Sequence, residues 1–203
     1  GSLPHFLNLV ESGDIPDHPY IKPDDKAVNF LRQNYVNNRP QENEKKRELL
    51  VGISWLSKGN RGDFRSIPIE HWSDILNVPG IKFISLQYGI SSSDISNTKN
   101  LYVDSSFNPL EDLDKACAQI AAMDLILSID NSCVHFAGAM GIETWVLLPA
   151  SPDWRWKAEG GSSYWYDSVR LYRQVNPRSW TDSLGLVKQN LEDWAQRKHS
   201  LAP

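Results

Sequence analysis

The stretch that decides the fold is Asp124-Leu125-Ile126-Leu127-Ser128-Ile129-Asp130-Asn131-Ser132-Cys133-Val134-His135-Phe136-Ala137-Gly138-Ala139-Met140-Gly141. Leu125 to Ile129 is apolar at nearly every position. A short run of that kind, bounded by polar residues, reads as a strand buried on both faces. Small polar residues follow, and Ser132 to Met140 then reads as a helix built mostly of small residues, with Gly141 as its stop. Asp130 or Ser132 is placed to cap that helix. A buried strand that runs straight into a capped helix is the repeating unit of a parallel α/β sheet.

The same alternation extends outward in both directions. Leu49 to Trp55, Ile81 to Leu86 after the Pro79-Gly80 turn, Leu101 to Val103, Thr144 to Leu148 before Pro149, and Val169 to Tyr172 read as further strands. Ile69 to Leu76, Pro109 to Met123 and Leu184 to Arg197 read as helices. Glu111, Asp112 and Asp114 complement the dipole at the start of the second of these, near Pro109. Strands and helices in this order predict an α/β fold, a Rossmann-like doubly wound parallel sheet. Upstream, Ala27, Val28, Phe30, Leu31 and Tyr35 approximate one face of a helix over 24–37. The segment 13–19 is turn-rich, and 39–48 is polar and reads as a loop. The chain therefore divides into an N-terminal extension or linker over 1–48 and a Rossmann-like domain over 49–203 that includes the C-terminal helix.

The composition narrows the class. The chain has 203 residues, 40% hydrophobic and 23% charged, with a net charge of −4. A single domain of that size buries a sizeable core without staples. The mild acidity argues against a partner that is nucleic acid or an anionic membrane. Cys117 and Cys133 alone supply neither a disulfide scaffold nor a four-thiolate zinc site. No apolar run reaches about 18 residues, so no transmembrane segment is expected. These features predict a reduced, cytoplasmic chain. The eight tryptophans are unusual, because Trp145, Trp154, Trp156 and Trp165 fall close together.

In doubly wound sheets ligands sit beyond the carboxyl ends of the strands, so the strand-to-helix turns carry any chemistry. At Asp130-Asn131-Ser132-Cys133, unbonded N–H groups of the helix start and its dipole make a site for phosphate, with His135 in the first turn. A well-capped crossover helix with a core histidine has the same pattern. The turn after the first strand, Ser54 to Ser66, carries Lys58, Arg61 and Arg65, cations suited to a diphosphate. A solvated surface loop reads the same way. Gln87, Tyr88 and Gly89 end the next strand, where a nucleobase or ribose would be read. There is no Gly-x-Gly-x-x-Gly, P-loop or Gly-x-Ser-x-Gly elbow. The histidines lack metal-ligand spacing. Asp112-Leu113-Asp114 matches a short manganese-binding pattern, but a helix start explains it.

Several blocks occur in order: Val51 to Trp55, Ser66 to Ile69, Ile84 to Gly89, Asp124 to Ser132, His135 to Gly141, Trp145 to Pro149, Pro152 to Trp156, Ser163 to Tyr166 and Arg170 to Gln174. Over about residues 19–175 the chain resembles the carboxyl-terminal domain of bacterial heptosyltransferase-like glycosyltransferases, often fused behind tetratricopeptide repeats. The resemblance implies one half of a GT-B enzyme: the domain that binds a nucleotide diphosphate sugar for transfer to an acceptor hydroxyl. It implies no metal and no cofactor, with a nucleotide diphosphate sugar as substrate. The amino-terminal half, which in such enzymes usually supplies the acceptor site and base, is then missing from this chain, and the catalytic residues are unknown. The implied donor-binding residues are Ser54, Lys58, Arg65, Gln87, Tyr88, Asp130, Asn131, Ser132, Cys133, His135, Arg155 and Trp156. Departures from the pattern are Asn131 where relatives often carry Thr, Cys133 in place of a small hydroxyl residue, and Phe136 in place of Leu. The loop with Trp154, Arg155, Trp156, Trp165 and Tyr166 is expected to close the carboxyl edge of the donor site or to pack as an ordered loop. The competing function is a non-catalytic nucleotide-binding or partner-docking module of a larger protein.

Overall fold

The computed structural model describes residues 19–37, 48–58, 62–90, 95, 98–177 and 179–200. The expectations for 13–18, for the loop over 39–47 and for Arg61 lie outside the described residues. The strands are β1 (Leu49–Ser54), β2 (Ile81–Ser85), β3 (Leu101–Tyr102), β4 (Leu125–Ile129), β5 (Thr144–Leu148) and β6 (Val169–Arg173). They form one sheet in the spatial order β3-β2-β1-β4-β5-β6, with every pairing parallel. The helices are α1 (Asp25–Asn37), α2 (Gly62–Arg65, a single turn), α3 (Ser73–Leu76, continuing a 3-10 turn over Ile69–Trp72), α4 (Leu113–Ala121), α5 (Ser132–Ala139) and α6 (Thr181–Ser200). This is the expected Rossmann-like α/β fold.

The apolar runs explain the layers. β1, β4 and β5 are buried at every position because helices cover both faces of the sheet. Alternate residues point to opposite sides. Val51, Ile53, Leu125, Leu127 and Ile129 pack with Trp72, Ile75 and the α6 residues Val187, Leu191 and Trp194. Leu50, Ile84 and Ile126 face Leu31 and Tyr35 of α1, Cys117 and Ala118 of α4, and Cys133 and Ala137 of α5. A third cluster joins Val134, Val146, Leu148, Val169 and Leu171 to Trp156.

Polar contacts tie α1 to the sheet as well. The Arg32 guanidinium donates to both carboxylate oxygens of Asp124 at 2.8 Å and to the Ala122 carbonyl at 2.6 Å. The Tyr35 hydroxyl donates to Asp104 at 2.7 Å and accepts from Gln119 at 3.0 Å. Burial, with the Asp104 bond, raises the Tyr35 phenol well above its ordinary pKa.

Boundaries shift where side chains compete with the backbone. α4 begins at Leu113 rather than at Pro109, because the Asp112 carboxylate accepts from the Lys115 N–H at 2.9 Å and caps the helix there. That cap also accounts for the acidic Asp112-Leu113-Asp114 pattern. β1 ends one residue early, because the Trp55 N–H donates to the Gln87 side chain and not to a neighbouring strand. α5 ends as expected. Gly141 takes φ 72°, Ile142 N–H donates to Ala137 O and Gly141 N–H to Gly138 O, a Schellman closure.

Candidate functional site

The strand order creates the site. From β1 the chain builds outward through β2 and β3, whereas β4 to β6 extend the other way. Loops leaving the carboxyl ends of β1 and β4 therefore diverge and leave a crevice between them. Ser54 stands in register with Ser128 across that boundary, and Ile53 with Ser85 on the other side.

A polar cluster closes the floor of the crevice. The Asn131 amide donates to Ser54 Oγ at 2.7 Å, and Ser54 Oγ donates to Gln87 Oε1 at 3.1 Å. Asn131 Oδ1 accepts from the Cys133 N–H at 3.1 Å and from Ser128 Oγ at 3.2 Å. The cap of α5 is thus Asn131 and neither Asp130 nor Ser132. Its extended backbone, φ −150°, aims the amide oxygen back over the first turn. Gln87 Oε1 also accepts from the Trp55 and Leu56 N–H groups, at 3.0 and 2.8 Å. Its Nε2 donates to the Tyr88 carbonyl at 3.2 Å. Gln87 thereby clasps the β1 and β2 turns together from inside, a role that leaves its amide engaged within the protein. Tyr88 is half-buried beside it.

Charged groups ring this floor. Asp130 is buried, and its carboxylate takes the Arg65 guanidinium at 3.4 Å from α2. The Arg65 Nε is buried without a hydrogen-bond partner. Lys58 is exposed on the opposite rim and donates to the Gly89 carbonyl at 2.9 Å, where Gly89 holds φ 67°. Ser132 is exposed at the helix start, and Cys133 is buried behind it with its thiol pushed up to about 12 by burial. Among the described residues no three His, Cys, Asp or Glu side chains gather as a metal-ligand set.

His135 lies one turn into α5. Its Nδ1 is 3.1 Å from the Tyr166 hydroxyl, and Trp156 stacks on its ring at 5.3 Å between centroids. Burial pushes the His135 pKa below its ordinary value. The carboxylates of Asp130 and Asp153 pull upward, and Arg155 adds to the depression. The aromatic loop divides into two roles. Trp156 is fully buried and belongs to the core, with its indole N–H unpartnered. Trp154 is exposed, meets Trp165 edge-on at 6.1 Å and carries the Arg155 guanidinium over its ring at 4.8 Å. Arg155 also pairs with Asp153 at 2.5 Å, and its carbonyl accepts from the Trp165 indole at 2.9 Å.

All twelve expected site residues thus lie on the carboxyl-end loops or against them. Ser128 and Tyr166 belong to the arrangement but were not among them. Ser128 is visible in the sequence as a hydroxyl inside an apolar strand. Tyr166 was expected only as a member of the aromatic loop, and nothing local marks its contact with His135, 31 positions away.

No family model matches the chain. Protein FlbA of Caulobacter vibrioides is 32% identical over 153 residues, 71% of this chain and 25% of that protein. The chain thus spans about a quarter of the length of the curated relative it matches. Among solved structures, the glycosyl transferase family 9 protein from Veillonella parvula superposes with a TM-score of 0.57 at 13% identity. The superposition covers 92% of this chain and 51% of that one. At that identity the likeness shows a shared fold. The wall teichoic acid polymerase TagF is more distant, with a TM-score of 0.40 at 14% identity, over 87% of this chain and 39% of that one. Among the described residues no helix is long and apolar enough to cross a membrane.

Proposed function

We propose that this chain is the donor-binding half of a GT-B glycosyltransferase, holding a nucleotide diphosphate sugar for transfer to an acceptor hydroxyl. The observation that carries this reading is the crevice between β1 and β4. There Arg65 pairs with Asp130 beside the capped start of α5, and Lys58 stands on the loop leaving β1, on a fold shared with a glycosyl transferase family 9 structure. In transfer, the bond from the anomeric carbon to the diphosphate oxygen breaks and a bond to the acceptor oxygen forms. The acceptor proton goes to a base on the domain that faces the donor-binding half in such an enzyme. Charge grows on the departing diphosphate, and the N–H groups of the α5 start with Lys58 and Arg65 would stabilise it without a metal. A diphosphate would compete with Asp130 for Arg65, whose 3.4 Å pairing is loose and whose Nε has no partner.

Calorimetry of the full-length protein against adenosine, guanosine, uridine and cytidine diphosphates tests this. Binding of one of them, weakened by Lys58→Ala, is the expected result. No binding of any at millimolar concentration refutes it. A second reading is a non-catalytic nucleotide-binding or docking module. It is favoured by the way Ser54, Gln87 and Asn131 bond to one another rather than face outward. Binding without donor hydrolysis or sugar transfer by the full-length protein would decide for the module.

A further inference from the structure

We propose that Trp154, with Asp153 and Arg155 beside it, is a platform for the ring of a sugar: the indole meets the apolar C–H face, and the two charged side chains bond to hydroxyls. The choice of a sugar among neutral rings rests on the glycosyltransferase reading above. The platform goes beyond that reading by naming where a sugar is held.

Trp154 is 52% exposed, yet the turn that carries it is held at many points. Asp153 caps the turn over Trp154–Trp156, its Oδ1 accepting from the Arg155 N–H at 3.2 Å. The Trp165 indole donates to the Arg155 carbonyl at 2.9 Å, and its ring meets that of Trp154 at 86°. From the end of β6, the Arg173 guanidinium donates to the carbonyls of Trp156 at 2.6 Å, Gly160 at 2.8 Å, and Lys157 and Glu159 at 3.2 Å. An aromatic ring already held in one orientation loses little freedom when a ligand covers it, which is what makes exposed tryptophan effective in recognition.

The polar neighbours have bonding positions left over. Asp153 Oδ1 takes both the Arg155 N–H and its Nη1, the latter at 2.5 Å. Oδ2 of Asp153, and Nε and Nη2 of Arg155, make no hydrogen bond among the described residues. Both side chains are partly open to solvent, and the guanidinium lies over the Trp154 ring at 4.8 Å. An acceptor and several donors therefore stand beside an open indole. A sugar ring has the matching pattern, with C–H bonds on a face and hydroxyls that donate and accept around its edge. The close pairing of Arg155 with Asp153 makes this corner neutral overall, which suits an uncharged ring and not a phosphate.

The place is right for transfer. The turn follows β5, the neighbour of β4 in the sheet. Trp156, two residues beyond Trp154, stacks on His135 one turn into α5. The platform thus stands on the rim of the crevice, on the side of the α5 start.

Fluorine NMR of the full-length protein labelled with 5-fluorotryptophan tests this. The Trp154 signal is assigned by its loss in Trp154→Phe. The probes are the methyl glycosides of glucose, galactose, mannose and N-acetylglucosamine, and uridine and guanosine diphosphates with and without an attached sugar. At least one sugar-bearing probe should shift the Trp154 signal and saturate. Trp154→Ala changes an exposed side chain, so its thermal melt should stay as in the wild type. It should weaken that binding roughly tenfold, read at the Trp165 signal, through loss of the apolar contact. Asp153→Asn keeps the cap acceptor and should weaken binding roughly fivefold, the worth of one modest hydrogen bond.

A methyl glycoside that shifts Trp154 while a nucleoside diphosphate is bound supports the platform and identifies an acceptor sugar. A shift given only by a sugar nucleotide supports it and identifies the sugar of the donor. No shift of Trp154 by any sugar-bearing probe at tens of millimolar overturns the proposal, as does unchanged affinity in Trp154→Ala. A shift as large with the bare nucleoside diphosphate as with its sugar-bearing form means that the base covers the indole, and overturns it too. Nucleoside diphosphate binding without any sugar response leaves the donor-site reading standing and the platform fallen; a glycoside response without any nucleotide binding does the reverse.

Discussion

Removing the Asn131 side chain should show how much of the site is built rather than incidental. Asn131→Ala deletes the cap acceptor for the Cys133 N–H at 3.1 Å, a loss of about 1 kcal/mol for a typical N-cap. It also deletes the donor to Ser54 Oγ at 2.7 Å and the acceptor for Ser128 Oγ at 3.2 Å. Both hydroxyls keep a second partner, Gln87 Oε1 and the Ile129 carbonyl. Each deletion therefore belongs near the low end of the hydrogen-bond range, about 0.5–1 kcal/mol. The sum is about 2–3 kcal/mol, or roughly 5–10 °C in Tm for a chain of this length. Urea unfolding followed by tryptophan fluorescence measures it, with an unchanged m-value as the sign that only stability has moved. Asn131→Ser keeps a cap acceptor but is too short to bridge to Ser54, so it should fall between wild type and Asn131→Ala. A loss below about 0.5 kcal/mol for Asn131→Ala would refute the reasoning, because burial of these groups leaves no cheaper way to satisfy them.

Arg32→Lys should cost about 1–2 kcal/mol in urea unfolding, since one ammonium cannot serve both the Asp124 carboxylate and the Ala122 carbonyl, which two guanidinium nitrogens now share. Stability should fall as pH rises from about 9 to about 12. In that window the unfolded chain releases the Cys133 proton and the folded chain retains it; Cys133→Ala should flatten the slope of unfolding free energy against pH. Gly138→Ala should lower Tm and release Tyr166 from α5, because the new Cβ meets the phenol ring; unaltered stability and an unaltered His135 titration would contradict that packing.

The sequence by itself determined the strands, their helices and the strand-to-helix turns that carry the site; the crevice between β1 and β4 came with the strand order. Apolar runs of strand length, short turns and the Gly141 stop are local signals, and each element forms from residues next to one another in the chain. The Asp130-Asn131-Ser132 turn was legible for the same reason. Which of its members caps α5 was not, because any short polar side chain can cap and the backbone angles of the turn choose Asn131. Tertiary structure alone decided the partnerships. Arg65 finds Asp130 from 65 positions away, Gln87 clasps Ser54 from 33, and Tyr166 holds His135 from 31. Such pairs depend on strand order and register, and no periodicity in the chain encodes which distant side chain arrives at a given strand end. The aromatic loop follows the same division. Its tryptophans were conspicuous in the sequence, but only packing separated Trp156, fully buried on His135, from Trp154, left half-exposed at the rim.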